Sequence, residues 1–442
     1  MNRNVVNLLI GLVCCLVFVG TSAAQTINSP YTFGSLGLLQ SQTFVHQQFM
    51  GGLSSGLHSK GDFSFVNPAS LHALEQTSLQ TGSELQLIEQ LSGDNTNQDF
   101  TGNFGYFAMG IPLSLKRKIA FGAGLSRLSE VDYFIPGEAT ENGIPVVNVF
   151  TGDGGINQFK TGIGGEIFKG FSLGVGANFM FGNIKEQLDK QFQENNEIFS
   201  LQNTNTTYYN GVKWNFGVQY TRQIRENSYV TLAGHLSPSS ELTTSRDDIM
   251  RTYNFDGNFF IDTISSRTDT KSTQGLPMEY GGGLTIGADN RWLVGVEYNV
   301  AKWSEVEKLR NANPFFDQTS FTIGGYLQLK EAMNNQHTSF VETLNDYLKT
   351  TRIYYGFRMQ SLYSGVVNEQ INETAVSLGF GLPLTRVYAI EGVKYRMVSR
   401  INIGAEYIMR GKRTDGQVQE NILGIKLGLT FNDKWFNKRK YQ

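Results

Sequence analysis

The sequence predicts an all-β fold, a transmembrane antiparallel β-barrel of about 14 strands. Three observations carry that expectation: a period of two with an inverted polarity, strand-length segments joined by alternating short and long connections, and a cysteine-free chain behind an export signal. The first is plainest in FSLGVGANFMFG, where Phe171, Leu173, Val175, Phe179 and Phe181 share one face and Ser172, Gly174, Gly176, Asn178 and Gly182 the other. A soluble sheet seldom sets three glycines opposite such a face, because glycine weakens an ordinary strand. A barrel in lipid requires large apolar residues outside and small or polar ones within, and closure leaves no unpaired edge in the membrane. The glycines are read here as making room where a curved sheet crowds its inner side chains.

The elements follow in chain order. MNRNVVNLLIGLVCCLVFVGTSAAQ has a positive Arg3, an apolar run from Leu8 to Val19, and small Ser22 and Ala24 before the cleavage point. Residues 1 to 24 therefore read as a signal peptide; the apolar run is shorter than the roughly 18 residues of a spanning helix. Strand segments are expected near 74 to 86, 100 to 113, 118 to 128, 157 to 167, 169 to 182, 211 to 222, 228 to 237, 277 to 287, 290 to 301, 319 to 329, 352 to 361, 373 to 384, 399 to 409 and 419 to 431. LKRK, KG, QIREN and ADN are tight turns, whereas 129 to 156, 183 to 210 and 238 to 276 read as long polar loops. Short turns on the periplasmic side and long loops outside would put both termini in the periplasm of a Gram-negative cell. Residues 330 to 351 break the alternation and are expected to hold a small helix or an extra hairpin.

Composition narrows the function. Both cysteines, Cys14 and Cys15, lie in the signal, which excludes disulfides and thiolate metal sites from the exported chain. A net charge of −2 argues against nucleic acid as a partner. No catalytic constellation is visible among His46, His58, His72, His235 and His337, so neither enzyme activity nor a cofactor is expected. His235, in VTLAGHLS, shares the face of Ala233 and reads as a lumen-facing polar residue. SGDNTNQDF sets Asp94, Asn95, Asn97 and Asp99 in what reads as a solvated outer loop without the glycine and distal glutamate of a calcium-binding EF-hand. GAGLSRL and GIGGEIFKG are wall strands rather than phosphate loops.

Inner parity singles out Glu166, Lys213, Glu297, Arg358, Glu406 and Lys426 as lumen-facing charges, since a charge on the lipid face near the midplane costs about 2–4 kcal/mol. They either line a route or fill a closed lumen in pairs. After Phe431, the tail NDKWFNKRKYQ, residues 432 to 442, offers Trp435, Phe436, Lys438, Arg439 and Lys440 as an interfacial anchor or a docking surface for another envelope protein.

SPYTFGSLG, MGGLSSGL and VNPASLHAL, with Asn67, Pro68 and Ala69 as a short NPA motif, resemble the entry region of Bacteroidota members of the FadL/TodX family, the long-chain fatty-acid transporter type. INIGAEYIMRG and GIKLGLTFNDKWFNKRKYQ resemble the end of such proteins. The resemblance implies a 14-stranded outer-membrane barrel over 71 to 431 with residues 25 to 70 as a plug inside the lumen. It also implies passive uptake of hydrophobic small molecules, entering from outside and leaving sideways through a gap in the wall. The other expectation is a closed barrel of the same fold, an accessory subunit of an outer-membrane protein export or assembly complex. Expected partners are outer-membrane lipid, a hydrophobic ligand, other outer-membrane or periplasmic proteins, and the assembly machinery during biogenesis.

Overall fold

A computed structural model describes residues 29–141, 143–192, 199–253, 260–288, 290–306, 315–330, 347–366, 369–390, 393–414 and 417–434. The period-two segments pair in chain order into one antiparallel sheet. Its strands are β1 (Thr77–Ser92), β2 (Asn95–Ser114), β3 (Ile119–Glu141), β4 (Ile144–Phe168), β5 (Phe171–Phe192), β6 (Ser200–Arg225), β7 (Ser228–Ser237 and Ser240–Tyr253), β8 (Phe260–Leu276 and Glu279–Ala288), β9 (Trp292–Ala301), β10 (Gln318–Leu327), β11 (Arg352–Val366), β12 (Glu369–Ile390), β13 (Val393–Arg410) and β14 (Gln419–Asp433). β14 returns to β1, from Asp433↔Thr77 to Gln419↔Leu91, closing a 14-stranded barrel. β7 and β8 each break where Pro238 and Pro277 lack the N–H a ladder needs.

The inverted polarity holds. Trp214, Leu232 and Val376 are 56–60% exposed on the outside, while their neighbours Lys213, Ala233 and Ser377 are buried within.

Three expected loops are instead strand. β3 and β4 stay paired out to Glu141↔Ile144, β5 and β6 to Lys190↔Leu201, and β7 and β8 to Tyr253↔Phe260. These hairpins carry the wall past its apolar belt, where both faces meet water and alternation no longer marks a strand. SGDNTNQDF likewise holds a tight turn at Gly93 and Asp94, with Asn95 onward already in β2. Asp94 approaches Arg413 at 3.7 Å, and Asp99 accepts from the Phe100 N–H. Of residues 330 to 351, a helical turn covers 347–350 and 331–346 lie outside the described residues.

Residues 29–76 run inside the barrel. Ser29 begins beside Asp132 and Glu420, and the chain reaches β1 at Thr77 beside Asp433. Ser29 and Lys434, the ends of the described chain, therefore lie at opposite ends of the barrel, and the side expected for the termini falls on residues outside the described ones. Phe44, Phe49, Phe63 and Phe65 pack with Tyr106, Tyr326 and Tyr354 of the wall, the Phe44–Phe63 and Phe63–Phe65 rings meeting edge-on at 5.1 and 5.3 Å.

The inner glycines take their meaning from this segment rather than from curvature alone. A methyl group at Gly174 would fall on the backbone of Pro68 and Ala69, at Gly324 on Met50, and at Gly356 on Met50 and Gly51. Backbone meets backbone there, so no side-chain shift can relieve the clash. Gly174→Leu should unseat the inner segment, seen as new protease cleavage within 29–76 and a lower melting temperature. Outward-facing Gly234 meets nothing nearer than 3.4 Å, and Gly234→Ala should stay within about 0.5 kcal/mol of the native barrel. Native cleavage and melting in Gly174→Leu would refute the steric account.

Candidate functional site: the lumen and its side opening

The NPA motif anchors the inner segment. Asn67 caps the 3₁₀ turn Pro68–Ala73, its Oδ1 accepting from the Ala69 N–H at 3.1 Å. Its Nδ2 donates to the carbonyls of Ser55 at 3.0 Å and Val218 of β6 at 3.1 Å. Pro68 suits the first position of the turn, where no N–H is needed, and Ala69 is wholly buried beside Gly174. One asparagine thus joins two parts of the segment to the wall.

The six charges chosen by parity all reach the inner face, in four separate places. Glu297 gathers the N–H groups of Ser54 and Ser55, each at 2.9 Å, the Ser55 hydroxyl at 2.8 Å and Asn299 Nδ2 at 3.1 Å. Lys213 donates to the Pro277 carbonyl at 2.8 Å, where β8 breaks, and pairs with Glu279 at 2.7 Å. Glu166 sits at the turn end of β4, paired with Lys118 at 2.7 Å.

Arg358, Glu406 and Lys426 share one buried network. Arg358 bridges Glu373 and Glu406, each at 3.1 Å; Arg410 bridges Glu373 and Glu420, each at 2.9 Å. Lys426 reaches Glu406 at 2.5 Å, Glu84 at 3.3 Å and Gln48 of the inner segment at 2.8 Å. Ser29 Oγ donates to Glu420 at 2.8 Å. Three cations thus meet four carboxylates, which satisfies charges that would be costly alone. Trp435, Phe436, Lys438, Arg439 and Lys440 lie outside the described residues.

Other partnerships join residues far apart in the chain, so spacing could not reveal them. His46 contacts Asp62, and the His58 and His72 rings lie 5.3 Å apart. His235 Nδ1 sits 3.0 Å from Ser55 Oγ, whose proton is directed to Glu297. The acid stands beside the serine rather than behind the histidine, so the trio ties the segment down and does not align as a nucleophile, base and orienting acid. Among the described residues no cluster of three or more metal-ligating side chains occurs.

Next to the network lies a cavity of about 330 Å3, lined by apolar Leu36, Leu39, Ile156 and Met180 and by polar Gln42, Gln158 and Lys160. One of its walls is incomplete. β2 and β3 pair from Ser114↔Ile119 only as far as Tyr106↔Ser126, and Gly105 bulges out of the β1–β2 ladder at that point. Beyond it, residues 95–105 of β2 leave β3. The inner segment covers part of the freed β3 edge, with Leu38↔Glu130 and Leu39↔Ser129 paired. Asn103 spans the seam to Glu130 at 3.0 Å, and Arg127 holds the same carboxylate at 2.5 Å. Leu38, Gln40, Leu128 and Ser129 border both seam and cavity. Parity alone could not show this interrupted ladder; the bulge at Gly105 is its local sequence mark.

The chain belongs to the BamG family, whose model matches residues 5–442. The fold is similar to that of the Pseudomonas putida toluene transporter TodX, with a TM-score of 0.51 and 13% identity over 90% of this chain and 99% of that one. A Pseudomonas aeruginosa FadL homologue has a TM-score of 0.50 and 11% identity over 90% and 98% of the two chains. The monoaromatic hydrocarbon channel CymD has a TM-score of 0.50 and 11% identity over 91% and 99%. No curated protein sequence matches it.

Two outcomes follow for the inner segment. Asn67→Ala strands the Ala69 N–H and the Ser55 and Val218 carbonyls, and Glu297→Ala the Ser54 and Ser55 N–H groups, at about 1–3 kcal/mol per lost partner; both should expose 29–76 to protease. Glu166→Ala, at a half-exposed pair, should change little. Burial first, then the neighbouring His72, pushes His58 down to about 3, and burial lowers His72 as well. In the unfolded chain a histidine titrates near 6.5, so their contribution is complete above that pH and is lost as pH falls toward 3. Protease sensitivity of the segment should rise across that window in native protein and respond less in a His58→Gln, His72→Gln double variant.

Proposed function

We propose that this BamG-family barrel lies in the outer membrane of a Gram-negative cell, its short turns toward the periplasm, and passively admits small hydrophobic molecules. The observation that supports this reading is the interruption of the β2–β3 ladder beyond Tyr106↔Ser126, beside the partly apolar lumen cavity, which we take as the place where the wall can part. A molecule entering from outside and leaving sideways would pass from cavity to membrane without crossing the water beyond. Residues 29–76 act in this reading as a plug, blocking the straight path while leaving the side path. The fold shared with hydrocarbon channels supports it. No chemistry is assigned to the Ser55, His235 and Glu297 trio, and the barrel acts as a channel rather than an enzyme.

A second reading, a closed accessory subunit of a protein export or assembly complex, draws on the seven-residue ion network and the backbone contacts that fasten the segment. Such fastening suits a barrel that never opens.

One preparation separates the two. Cysteines placed at Asn103 and Glu130 should, when joined by a short thiol cross-linker, reduce uptake of a hydrophobic probe by cells at least ten-fold while the uncross-linked variant retains it. Native purification in mild detergent should yield a barrel with a stoichiometric hydrophobic molecule. Unchanged uptake after cross-linking, with a stable assembly of envelope proteins and no ligand, would replace the channel by the subunit.

A further inference from the structure

At the end of the barrel bearing Asp433 lies a second cavity, of about 270 Å3, distinct from the first in every lining residue. Two arginines on the inner face dominate it, Arg352 near the start of β11 and Arg400 of β13, each only 8% exposed. Arg352 lies over the Tyr326 ring at 4.2 Å and donates through Nε to Gln328 Oε1 and through an Nη to Asn290 Oδ1, both at 3.1 Å. Arg400 shares that same Gln328 oxygen at 3.4 Å, and its buried Nε has no partner.

The charge balance is unusual for a buried site. Elsewhere in this lumen Arg358, Arg410, Lys213 and Lys426 each meet a carboxylate, and the lone buried Lys160 donates to Gln42 Oε1 at 2.6 Å; among the described residues only here do two buried cations stand side by side without one. Neither Arg352 nor Arg400 forms an ion pair among the described residues. The one carboxylate lining this cavity, Asp62, is engaged by His46, by Gln80 Nε2 at 2.7 Å and by the Phe63 N–H at 2.8 Å. Two guanidinium groups therefore share one neutral amide oxygen and repel each other in a confined, partly desolvated space. A guanidinium offers five N–H donors in a planar fork that fits carboxylate and phosphate oxygens two at a time. Removing water from two like charges is sustained when an anion supplies the missing acceptors.

We propose that Arg352 and Arg400 form a binding site for an oxyanion, a carboxylate or phosphate group, reached from the end of the barrel that carries the C-terminal strand end. Gln328 and Asn290 fix the two forks, Tyr326 backs one of them, and the exposed Lys60 stands at the rim. The oxyanion occupies the cavity that the two guanidinium groups line together. This site does not depend on the seam or on the channel reading, since it lies in a separate cavity.

The test uses the full exported chain in a maltoside detergent, with inorganic phosphate and acetate as probes and chloride at matched ionic strength as the reference. Phosphate or acetate should raise the melting temperature of the native barrel at millimolar concentration. Arg400→Gln removes a buried unpaired charge and should fold at least as well as native, yet lose affinity at least ten-fold. Arg352→Lys, which keeps charge but not the fork, should weaken binding too, and Lys271→Gln, exposed on β8 away from the cavity, should leave it within two-fold. A larger response to phosphate assigns a phosphate-bearing ligand, free or on a lipid headgroup; a larger response to acetate assigns a carboxylate. No shift in the native protein, or an equal shift in Arg400→Gln, overturns the proposal.

Discussion

Everything in this barrel depends on backbone reaching backbone across the inner wall. A 14-stranded cylinder encloses more space than its own inward side chains fill, and here a second run of chain occupies it. Large inward residues would hold that run away from the wall. Glycine at Gly174, Gly324 and Gly356 lets peptide groups pass at contact distance, and Asn67, Gln219 and Glu297 then supply the hydrogen bonds that water would otherwise give. The lumen is consequently a packed interior with polar seams rather than a water-filled pore, and each cavity in it is a local departure from packing.

Those departures differ in kind. The larger one adjoins a stretch where the ladder itself is interrupted, and its lining mixes leucine and methionine with amides. The smaller one is ringed by amides, tyrosines and guanidinium groups beneath an intact ladder. The ion network lines the larger one and ties β1, β11, β12, β13 and β14 together through side chains as well as through main-chain pairing. The fold accommodates a partly apolar cavity and a cationic one in a single lumen because the charges around the first are paired within a few ångströms.

How much of this the sequence disclosed follows from what a period of two records. It records which way a side chain points, so the inner placement of Lys213, Glu297 and Lys426 was legible, as was the number of crossings. It does not record strand pairing where both faces are wet, which is why 129 to 156 read as loop although the ladder continues through it. It is silent on contacts between distant stretches: Ser55 with His235 and Arg352 beside Arg400 require the closed cylinder to bring them together, and His46 meets Asp62 only through the fold of the inner segment. The NPA motif was visible through resemblance, but its reason lies in two carbonyls, on Ser55 and Val218, that no local pattern marks. Glycine parity was read correctly as room on the inner face, although the occupant was another length of the same chain.

The position of the inner segment also bears on the closure of the wall. The pair that closes the wall, Thr77 with Asp433, joins the beginning of the sheet to its end, and pairings this distant in sequence form slowly. The segment immediately preceding Thr77 carries the Phe44, Phe49, Phe63 and Phe65 cluster on a path that runs the length of the lumen. The wall's closing pair and the root of the inner segment thus meet at one point of the ring, so whatever holds the segment in place also bears on the seam between the last strand and the first.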